Sequence, residues 1–359
     1  MNTSEIYDEF DEDEIESSEE KEKHIIFDFV IEKGQEPIRI DKYLMSRIAG
    51  STRSKIQEAI DDECVIVNDK IVKQNYKVKP NDHVVTYSFR EPPSTEILAE
   101  NIPLEIVFED DDILVINKPY NMVVHPGHGN WSGTLVNAVM YYLQEKNPSQ
   151  KLLPRIGLVH RIDKDTSGLL VVGKTEKAVL ALSDQFAKHT VNRLYYALVW
   201  GDVAEDEGRI ESHIARHERF RKIFATYEED EGKGKHAVTH YKVIERFNYV
   251  TLVQCKLETG RTHQIRVHMK SIGHTLFNDE TYGGEKILKG TIYAKYKSFV
   301  ENCFAICPRQ ALHAKTLGFI HPATGKQIDF ESEMPSDIQA VLEKWRVYVK
   351  AKNLMEDRE

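Results

Sequence analysis

Several ionisable side chains crowd one short stretch of the chain, between two apolar runs. The stretch is Leu158-Val-His-Arg-Ile-Asp-Lys-Asp-Thr-Ser-Gly-Leu-Leu-Val-Val, and its ionisable residues are His160, Arg161, Asp163, Lys164 and Asp165. Charges beside core strands cost free energy unless they are paired, exposed in a cleft or used in a reaction. These residues alone leave two interpretations equally open: an active site built on a carboxylate, or a capped loop with internal ion pairs.

Two further segments combine polar or aromatic residues with a regular pattern. Thr259-Gly-Arg-Thr-His-Gln-Ile-Arg-Val-His-Met is predicted to open a helix, since its apolar residues fall at helical spacing. Arg266 then lies on a different face, where it is either a functional cation or an ordinary surface or structural one. Arg193-Leu-Tyr-Tyr-Ala-Leu-Val-Trp-Gly is predicted to be a strand whose tyrosines, Tyr195 and Tyr196, point to opposite faces, so one belongs to the core.

Together these segments resemble the RluA family of pseudouridine synthases, most closely its members that act on large-subunit ribosomal RNA. The family's central motif is similar to His160-Arg-Ile-Asp-Lys-Asp-Thr-Ser-Gly-Leu-Leu, its base-stacking strand to Arg193-Leu-Tyr195-Tyr-Ala, and its third motif to Gly260-Arg-Thr-His-Gln-Ile-Arg266. Shorter matches are Asn117-Lys-Pro, Val123-Val-His-Pro, Asp279-x-x-Tyr-Gly-Gly and Gln310-Ala-Leu-His-Ala. The resemblance covers about residues 37–350.

The chain departs from the family pattern at two places in this region. Tyr120-Asn121 stands where a small residue and a glycine are usual, and asparagine tolerates positive φ, so we expect the turn to survive. Residues 227–234 form a stretch that is longer and more acidic than in the relatives.

The resemblance implies an RNA isomerase that converts specific uridines to pseudouridine without a cofactor. It implies that Asp163, Arg266 and Tyr195 are catalytic: a carboxylate that acts at the ribose, a cation that favours its charged form, and a ring that stacks on uracil. Arg161 would occupy the space that the flipped base vacates. The other expected substrate-binding residues are His160, Arg261, Lys118, Arg39, Lys42, Arg53, Lys55 and Arg216.

The pattern of elements predicts an α+β protein, in which a small α/β domain precedes a catalytic domain with a mixed, mainly antiparallel sheet. Strands are predicted at residues 113–116, 169–172, 194–200 and twice within 238–257, and helices at 134–144, 176–188 and from about residue 336. The predicted boundaries are a disordered acidic tail at 1–23, an S4-like domain at 25–90, a proline-marked linker at 91–97, the catalytic domain at 98–350 and a C-terminal tail at 351–359.

Residues 37–90 resemble an S4-type RNA-binding domain, with two short helices and then a hairpin that turns at Asn68-Asp69. The stretch carries ten Lys or Arg against seven Asp or Glu. Charge alone indicates only a solvated face, so the resemblance is what predicts RNA binding. The segment departs from the usual pattern at Glu63-Cys64, where a glycine commonly precedes the strand.

The net charge of -10 is concentrated at the N-terminus, where residues 1–23 carry eleven acidic side chains and two lysines. The remaining chain is close to neutral, so net charge neither supports nor excludes RNA binding. Four scattered cysteines predict reduced core thiols, and the His and Cys spacings predict no metal site. Because no apolar run, signal peptide or transit pattern is recognisable, we expect a cytoplasmic monomer that contacts no membrane.

Three other functions fit parts of this pattern. A nucleoside or glycoside hydrolase also uses an aspartate at an anomeric carbon, but it needs a second carboxylate, for which Asp165 is the nearest candidate. A non-catalytic ribosome-assembly factor would need only the S4-like segment. A transfer-RNA pseudouridine synthase of the same family shares nearly the same motifs, so the target RNA stays open between ribosomal and transfer RNA.

Overall fold

The structure is a computed structural model that describes residues 24–47, 53–88, 97–127, 130–148, 153–220, 223–291 and 293–356. The acidic tail predicted at residues 1–23 and most of the predicted linker lie outside the described residues. The chain divides between Glu96 and Ile97 into an N-terminal unit and a C-terminal unit. In the described ranges, no helix has the length and apolar character that crossing a membrane requires.

The N-terminal unit is a four-stranded antiparallel sheet with two short helices. Its elements are β1 (His24–Val30), α1 (Ile40–Arg47), α2 (Arg53–Asp61), β2 (Val65–Val67), β3 (Lys70–Ile71) and β4 (His83–Ser88), in the strand order β1-β4-β2-β3. Asn68 and Asp69 have φ values of 49° and 60°, as a tight two-residue turn between antiparallel strands requires. The predicted hairpin is therefore confirmed.

The C-terminal unit is built on a large sheet flanked by helices. Its elements are β5 (Glu105–Glu109), β6 (Ile113–Lys118), α3 (Leu135–Lys146), β7 (Ser167–Gly173), α4 (Glu176–Ala187), β8 (Asn192–Trp200), β9 (Glu207–Arg216), β10 (Phe224–Tyr227), β11 (Lys235–Arg246), β12 (Val250–Leu257), α5 (Gln264–Ser271), α6 (Ala294–Ile306), β13 (Leu312–Ile320), β14 (Gln327–Glu331) and α7 (Ser336–Glu356). The strand order among the described residues is β10-β9-β11-β12-β8-β13-β7-β6-β5, and β14 pairs with β13. Only the short β7–β13 pairing is parallel among these strands, so the predicted mixed, mainly antiparallel α+β fold is confirmed.

Strand β13 joins two halves of this sheet. It pairs with β7 through His313 and Ala314, and on its other side with β8. Strands β5 to β7 form the first half, and β8 to β12 form the second. At the junction, Gly168 has a φ of 115°, and an added Cβ would collide with the backbone of Ala314. Because only glycine tolerates both conditions, Gly168 permits the close approach of β7 and β13.

Apolar side chains cover both faces of the sheet. One face packs against α3 and α5, and the opposite face of the same β8 and β12 strands packs against α6 and α7. The helix predicted from about residue 336 begins at Ser336, and its expected apolar face of Ile338, Val341, Leu342 and Trp345 is buried. It continues to Glu356, beyond residue 351, where the predicted C-terminal tail begins.

Candidate active site

The loop that carries Asp163 is held by hydrogen bonds to the backbone on its C-terminal side. Nζ of Lys118, at the end of β6, donates to the carbonyl oxygen of Lys164 (3.0 Å). Nη1 of Arg309, which precedes β13, donates to the carbonyl oxygen of Asp165 (3.0 Å). Both donors are buried and come from distant parts of the sequence. The position of Asp163 is therefore fixed by the sheet as a whole rather than by its own loop.

Lys118 was expected to bind substrate, but its hydrogen bonds go to the backbone of the protein. Its side chain is fully buried, and its ammonium group also donates to the carbonyl oxygens of Pro119 (2.7 Å) and Met122 (2.9 Å). Burial lowers the pKa of Lys118 to about 7, against the opposing attraction of Asp165. Three N–H donors on three carbonyl groups leave none for an RNA phosphate. Lys118 is thus a support for the loop.

Arg266 is held against Asp163 by a second carboxylate. Its Nη1 donates to Oδ2 of Asp163 (3.1 Å), while Nε and Nη2 donate to Oδ2 and Oδ1 of Asp279 (2.7 and 2.8 Å). Asp279 is fully buried, and the Tyr282 ring lies 4.9 Å from the guanidinium carbon. A bidentate pair fixes the plane of a guanidinium group. Asp279 therefore aims the remaining nitrogen of Arg266 at Asp163.

Tyr195 reaches the same place from strand β8. Its side chain contributes to the core on the α3 and α5 side, whereas Tyr196 packs on the α6 and α7 side. The tyrosines thus point to opposite faces, as predicted. Burial raises the pKa of the Tyr195 phenol above its usual value, which keeps the hydroxyl group neutral.

Asp163, Arg266 and Tyr195 line a cavity of about 620 Å³. The charged groups among its described lining residues are four arginines and one carboxylate: Arg161, Arg193, Arg261, Arg266 and Asp163. Asp165, the possible second carboxylate of a hydrolase, does not line the cavity. The arrangement therefore suits a single-carboxylate reaction on an anionic substrate.

His160 lines the cavity as a neutral ring. Its Nε2 accepts a hydrogen bond from the backbone N–H of Val171 (3.0 Å), and its ring stacks on Phe186 with centroids 4.4 Å apart. Burial lowers the pKa of His160 to about 3, and the nearby Arg193 adds to this effect. As Nε2 is an acceptor, Nδ1 carries the proton and has no partner among the described residues. His160 is therefore a neutral ring with a buried N–H group, and it adds no positive charge to the cavity.

Three other predicted contacts lie at different places in the C-terminal unit. Arg161 is exposed and lines the cavity, and Arg261 also lines it while its Nε donates to the carbonyl oxygen of His236 (2.9 Å). Arg216 is not among the lining residues, and its guanidinium carbon lies 5.3 Å from the Phe224 ring. Residues 221–222 lie outside the described residues.

The two departures from the family pattern have simple local structures. Asn121 has a φ of 60°, so the prediction that the turn survives with asparagine is confirmed. The acidic stretch contains a single 3₁₀ turn at Glu229–Glu231, followed by Gly232 with positive φ.

The remaining predicted contacts belong to the N-terminal unit, where a buried carboxylate organises two of them. Asp41 accepts hydrogen bonds from Nε and Nη2 of Arg39 (3.0 and 2.9 Å) and from Nη2 of Arg53 (3.3 Å). Burial opposes the ionisation of Asp41, but the hydrogen bonds from Arg39 and Gln57 lower its pKa to about 2. Lys42 is exposed; Lys55 lies in α2, and its side chain is outside the described residues. Asp41 thus orients two half-exposed arginines.

Sequence reasoning did not assign roles to Asp279 or Arg193. The Asp279-x-x-Tyr-Gly-Gly match pointed to Asp279, but the carboxylate's partner is evident only from the fold. Arg193 stands two residues before Tyr195 on a strand, so both side chains leave the same face of the sheet. That spacing is the signal that could have placed Arg193 in the cavity.

Comparisons with known proteins agree with this geometry. Residues 112–271 match the family described as RNA pseudouridylate synthase, and residues 38–84 match the S4 domain. An uncharacterized RNA pseudouridine synthase of Chlorobaculum parvum is 44% identical over 322 residues, which cover 89% of this chain and 98% of that protein. Ribosomal large subunit pseudouridine synthase D of Zymomonas mobilis is 44% identical over 304 residues, which cover 84% of this chain and 92% of that protein. The structure of human RNA pseudouridylate synthase domain containing 4 has a similar fold, with a TM-score of 0.55 and 22% identity over 67% of this chain and 93% of that chain.

Proposed function

Since the chain belongs to the RNA pseudouridine synthase family, we propose that it isomerises specific uridines of large-subunit ribosomal RNA, with Asp163 as the catalytic carboxylate. As a member of this family it is an isomerase that acts on RNA, and its N-terminal unit contains an S4 domain. The observation that carries the proposed role of Asp163 is its 3.1 Å contact with Arg266 in a cavity that has no other carboxylate among its described lining residues.

The reaction breaks the bond between uracil N1 and ribose C1′ and forms a bond between C5 and C1′. C5 loses a proton and N1 gains one, so atoms and electrons balance without an oxidant or a reductant. Asp163 can serve either by adding to C1′ or by removing a ribose proton, and both roles require its ionised form in a site shielded from water. Arg266 donates a hydrogen bond to Asp163, and Asp279 keeps Arg266 in place.

A uridine within a folded stem can reach Asp163 only if it is extruded, which costs a few kcal/mol. Stacking on an aromatic ring returns about 1 to 3 kcal/mol per base, and Tyr195 is the tyrosine that shares the cavity with Asp163. Arg161 is exposed beside this cavity, which suits the proposed insertion into the space that the base leaves.

The choice of large-subunit ribosomal RNA rests on the relatives that are named ribosomal large subunit pseudouridine synthase D, such as that of Zymomonas mobilis. We expect cells that lack the protein to lose pseudouridine at a few positions of large-subunit RNA, with transfer RNA unchanged. Chemical mapping of pseudouridine in both RNA classes tests this, and wild-type protein should restore the lost positions, whereas Asp163→Asn protein should not. Loss confined to transfer RNA would contradict the proposed target.

The S4 domain is proposed to contribute phosphate contacts to large structured RNA through Arg39 and Arg53. We expect removal of residues 1–90 to leave a folded C-terminal unit, because that unit has its own cores. Affinity for a large-subunit RNA fragment should fall, and its dependence on salt should become shallower. Each lost phosphate contact reduces the slope of log affinity against log salt by about 0.9 on duplex RNA, if it behaves as B-DNA does.

Binding measured across a salt series compares three proteins: full-length, truncated, and full-length with both Arg39→Gln and Arg53→Gln. The double variant should lose about two units of slope if each arginine neutralises one phosphate. Equal affinities and equal slopes for all three proteins would mean that the N-terminal unit does not bind this RNA. The cytoplasmic location and the monomeric state expected from the sequence stay predictions.

A further inference from the structure

Arg193 is a buried cation that has no anionic partner among the described residues. Only 8% of the residue is exposed, its Nε is buried without a hydrogen bond, and no ion pair joins it to a carboxylate of the described residues. Two other buried arginines of the same unit, Arg266 and Arg309, are each held in a bidentate pair, by Asp279 and Asp337 respectively. Burying a charge without a partner costs free energy, so we expect Arg193 to pair with an anion from a ligand.

The position of Arg193 relates it to the reacting nucleotide. It stands two residues before Tyr195 on β8, so both side chains leave the same face of the sheet, about 6.7 Å apart along the strand. Both residues line the cavity that contains Asp163. An anion bound by Arg193 would therefore lie beside a base stacked on Tyr195.

The surroundings of Arg193 leave its guanidinium group accessible to a ligand. Its guanidinium carbon lies 5.4 Å from the centroid of the Phe186 ring, and His160, whose Nδ1 also has no partner, stacks on that ring. On another side is Gly260, where an added Cβ would lie only 3.0 Å from Nη1 of Arg193. The absence of a side chain at residue 260 is thus what gives the guanidinium group its room.

We propose that Arg193 binds the phosphate group attached to the flipped uridine, and so positions the nucleotide for Asp163. This inference rests on the proposed RNA substrate and adds a residue that recognises its backbone. Uracil is neutral and offers only carbonyl acceptors, whereas the planar guanidinium group matches a phosphate anion in both charge and geometry. The phosphate enters the cavity only when its nucleotide leaves the stack, so the contact favours the extruded state.

Ethylation interference on a large-subunit RNA fragment locates this contact. Single phosphates are neutralised by ethylation, the RNA is partitioned by binding to Asp163→Asn protein, and the phosphates that must stay charged are mapped. We expect one of them to adjoin the uridine that the wild-type protein converts. Adding Arg193→Met to the Asp163→Asn protein should abolish interference at that phosphate and leave interference at the other phosphates unchanged.

Variants without the Asp163 change measure the effect on rate. Loss of a charged hydrogen bond is expected to lower the single-turnover rate of Arg193→Met about tenfold to hundredfold. Arg193→Lys should lose less, since it keeps the charge without the planar geometry. Gly260→Ala keeps every charge but displaces Nη1, so it should also weaken interference at the same phosphate. Arg346→Met is the matched control, because Arg346 pairs with Glu245 on the surface and does not line the cavity.

Unchanged interference in Arg193→Met, or a rate within twofold of wild type, would overturn the proposal. If circular dichroism showed that Arg193→Met does not fold, the ethylation-interference maps of Gly260→Ala and Arg193→Lys would test the proposal instead. If the wild-type protein converted transfer RNA but no large-subunit RNA, the proposed ribosomal target would be wrong, and the proposal for Arg193 would be unaffected. The Arg193 comparison would then be made on the RNA that is converted.

Discussion

We expect Asp163→Asn protein to form no measurable pseudouridine, yet to fold and bind RNA as the wild-type protein does. The substitution keeps the shape of the side chain and removes the negative charge that is proposed to act at the ribose. Arg266 should not move, because two of its hydrogen bonds go to Asp279 rather than to Asp163. We expect the rate to fall by at least about 10³-fold, within the range for loss of an essential acid–base or nucleophilic group.

A single-turnover tritium-release assay with uridine labelled at C5 measures this rate, and filter binding measures the affinity for the same RNA. Asp165→Asn is the matched control, since Asp165 is two residues away but does not line the cavity. A rate for Asp163→Asn within tenfold of the wild-type rate would mean that Asp163 is not catalytic. Release of free uracil by the wild-type protein would instead indicate a hydrolase.

Arg266→Ala should impair both catalysis and stability. The rate should fall by at least about a hundredfold, because Asp163 loses the cation that is paired with it and fixes its orientation. The free energy of unfolding should fall by about 3 to 5 kcal/mol, because Asp279 is left buried without its partner. Urea unfolding and the single-turnover assay, at a temperature where all variants are folded, measure the two effects.

The double variant Arg266→Ala, Asp279→Ala separates these effects. It removes the unpaired carboxylate, so much of the lost stability should return, while the rate should stay low. Recovery of the rate together with stability would mean that Arg266 acts only through folding. A rate loss in Arg266→Ala of less than about tenfold, or roughly 1.4 kcal/mol, would mean that its contact with Asp163 is not catalytic.

The sequence predicted those elements whose patterns are strong and local. The apolar runs of β6, β7 and β8 and the periodic apolar face of α7 were placed within a few residues. Strand β13 was not predicted, because His313, Lys315 and Gly318 interrupt its apolar pattern. Its central place in the sheet follows from pairing with distant strands, which no local pattern reveals.

The candidate site also combines features that local motifs predict with features that depend on distant contacts. Motif resemblance selected Asp163, Tyr195 and Arg266, and the structure brings all three to one cavity. It did not distinguish a cation that faces substrate from one that supports the loop, so Lys118 was assigned to RNA. The type of a residue can be read from the sequence, but its burial and its hydrogen-bond partners depend on contacts between distant segments. That is also why the unpaired state of Arg193 could not be predicted.

The place of β13 has a consequence for the order in which a nascent chain becomes active. Asp163 precedes β7 in the first half of the sheet, whereas Tyr195 and Arg266 belong with the second half, and β13 is what joins the halves. A ribosome that has made the chain only as far as residue 308 has already supplied Asp163, Tyr195 and Arg266, yet neither Arg309 nor the joining strand exists. Prematurely terminated chains would carry all the family's catalytic motifs and no assembled active site. We therefore expect catalytic competence only after β13 has been synthesised and has paired with β7 and β8.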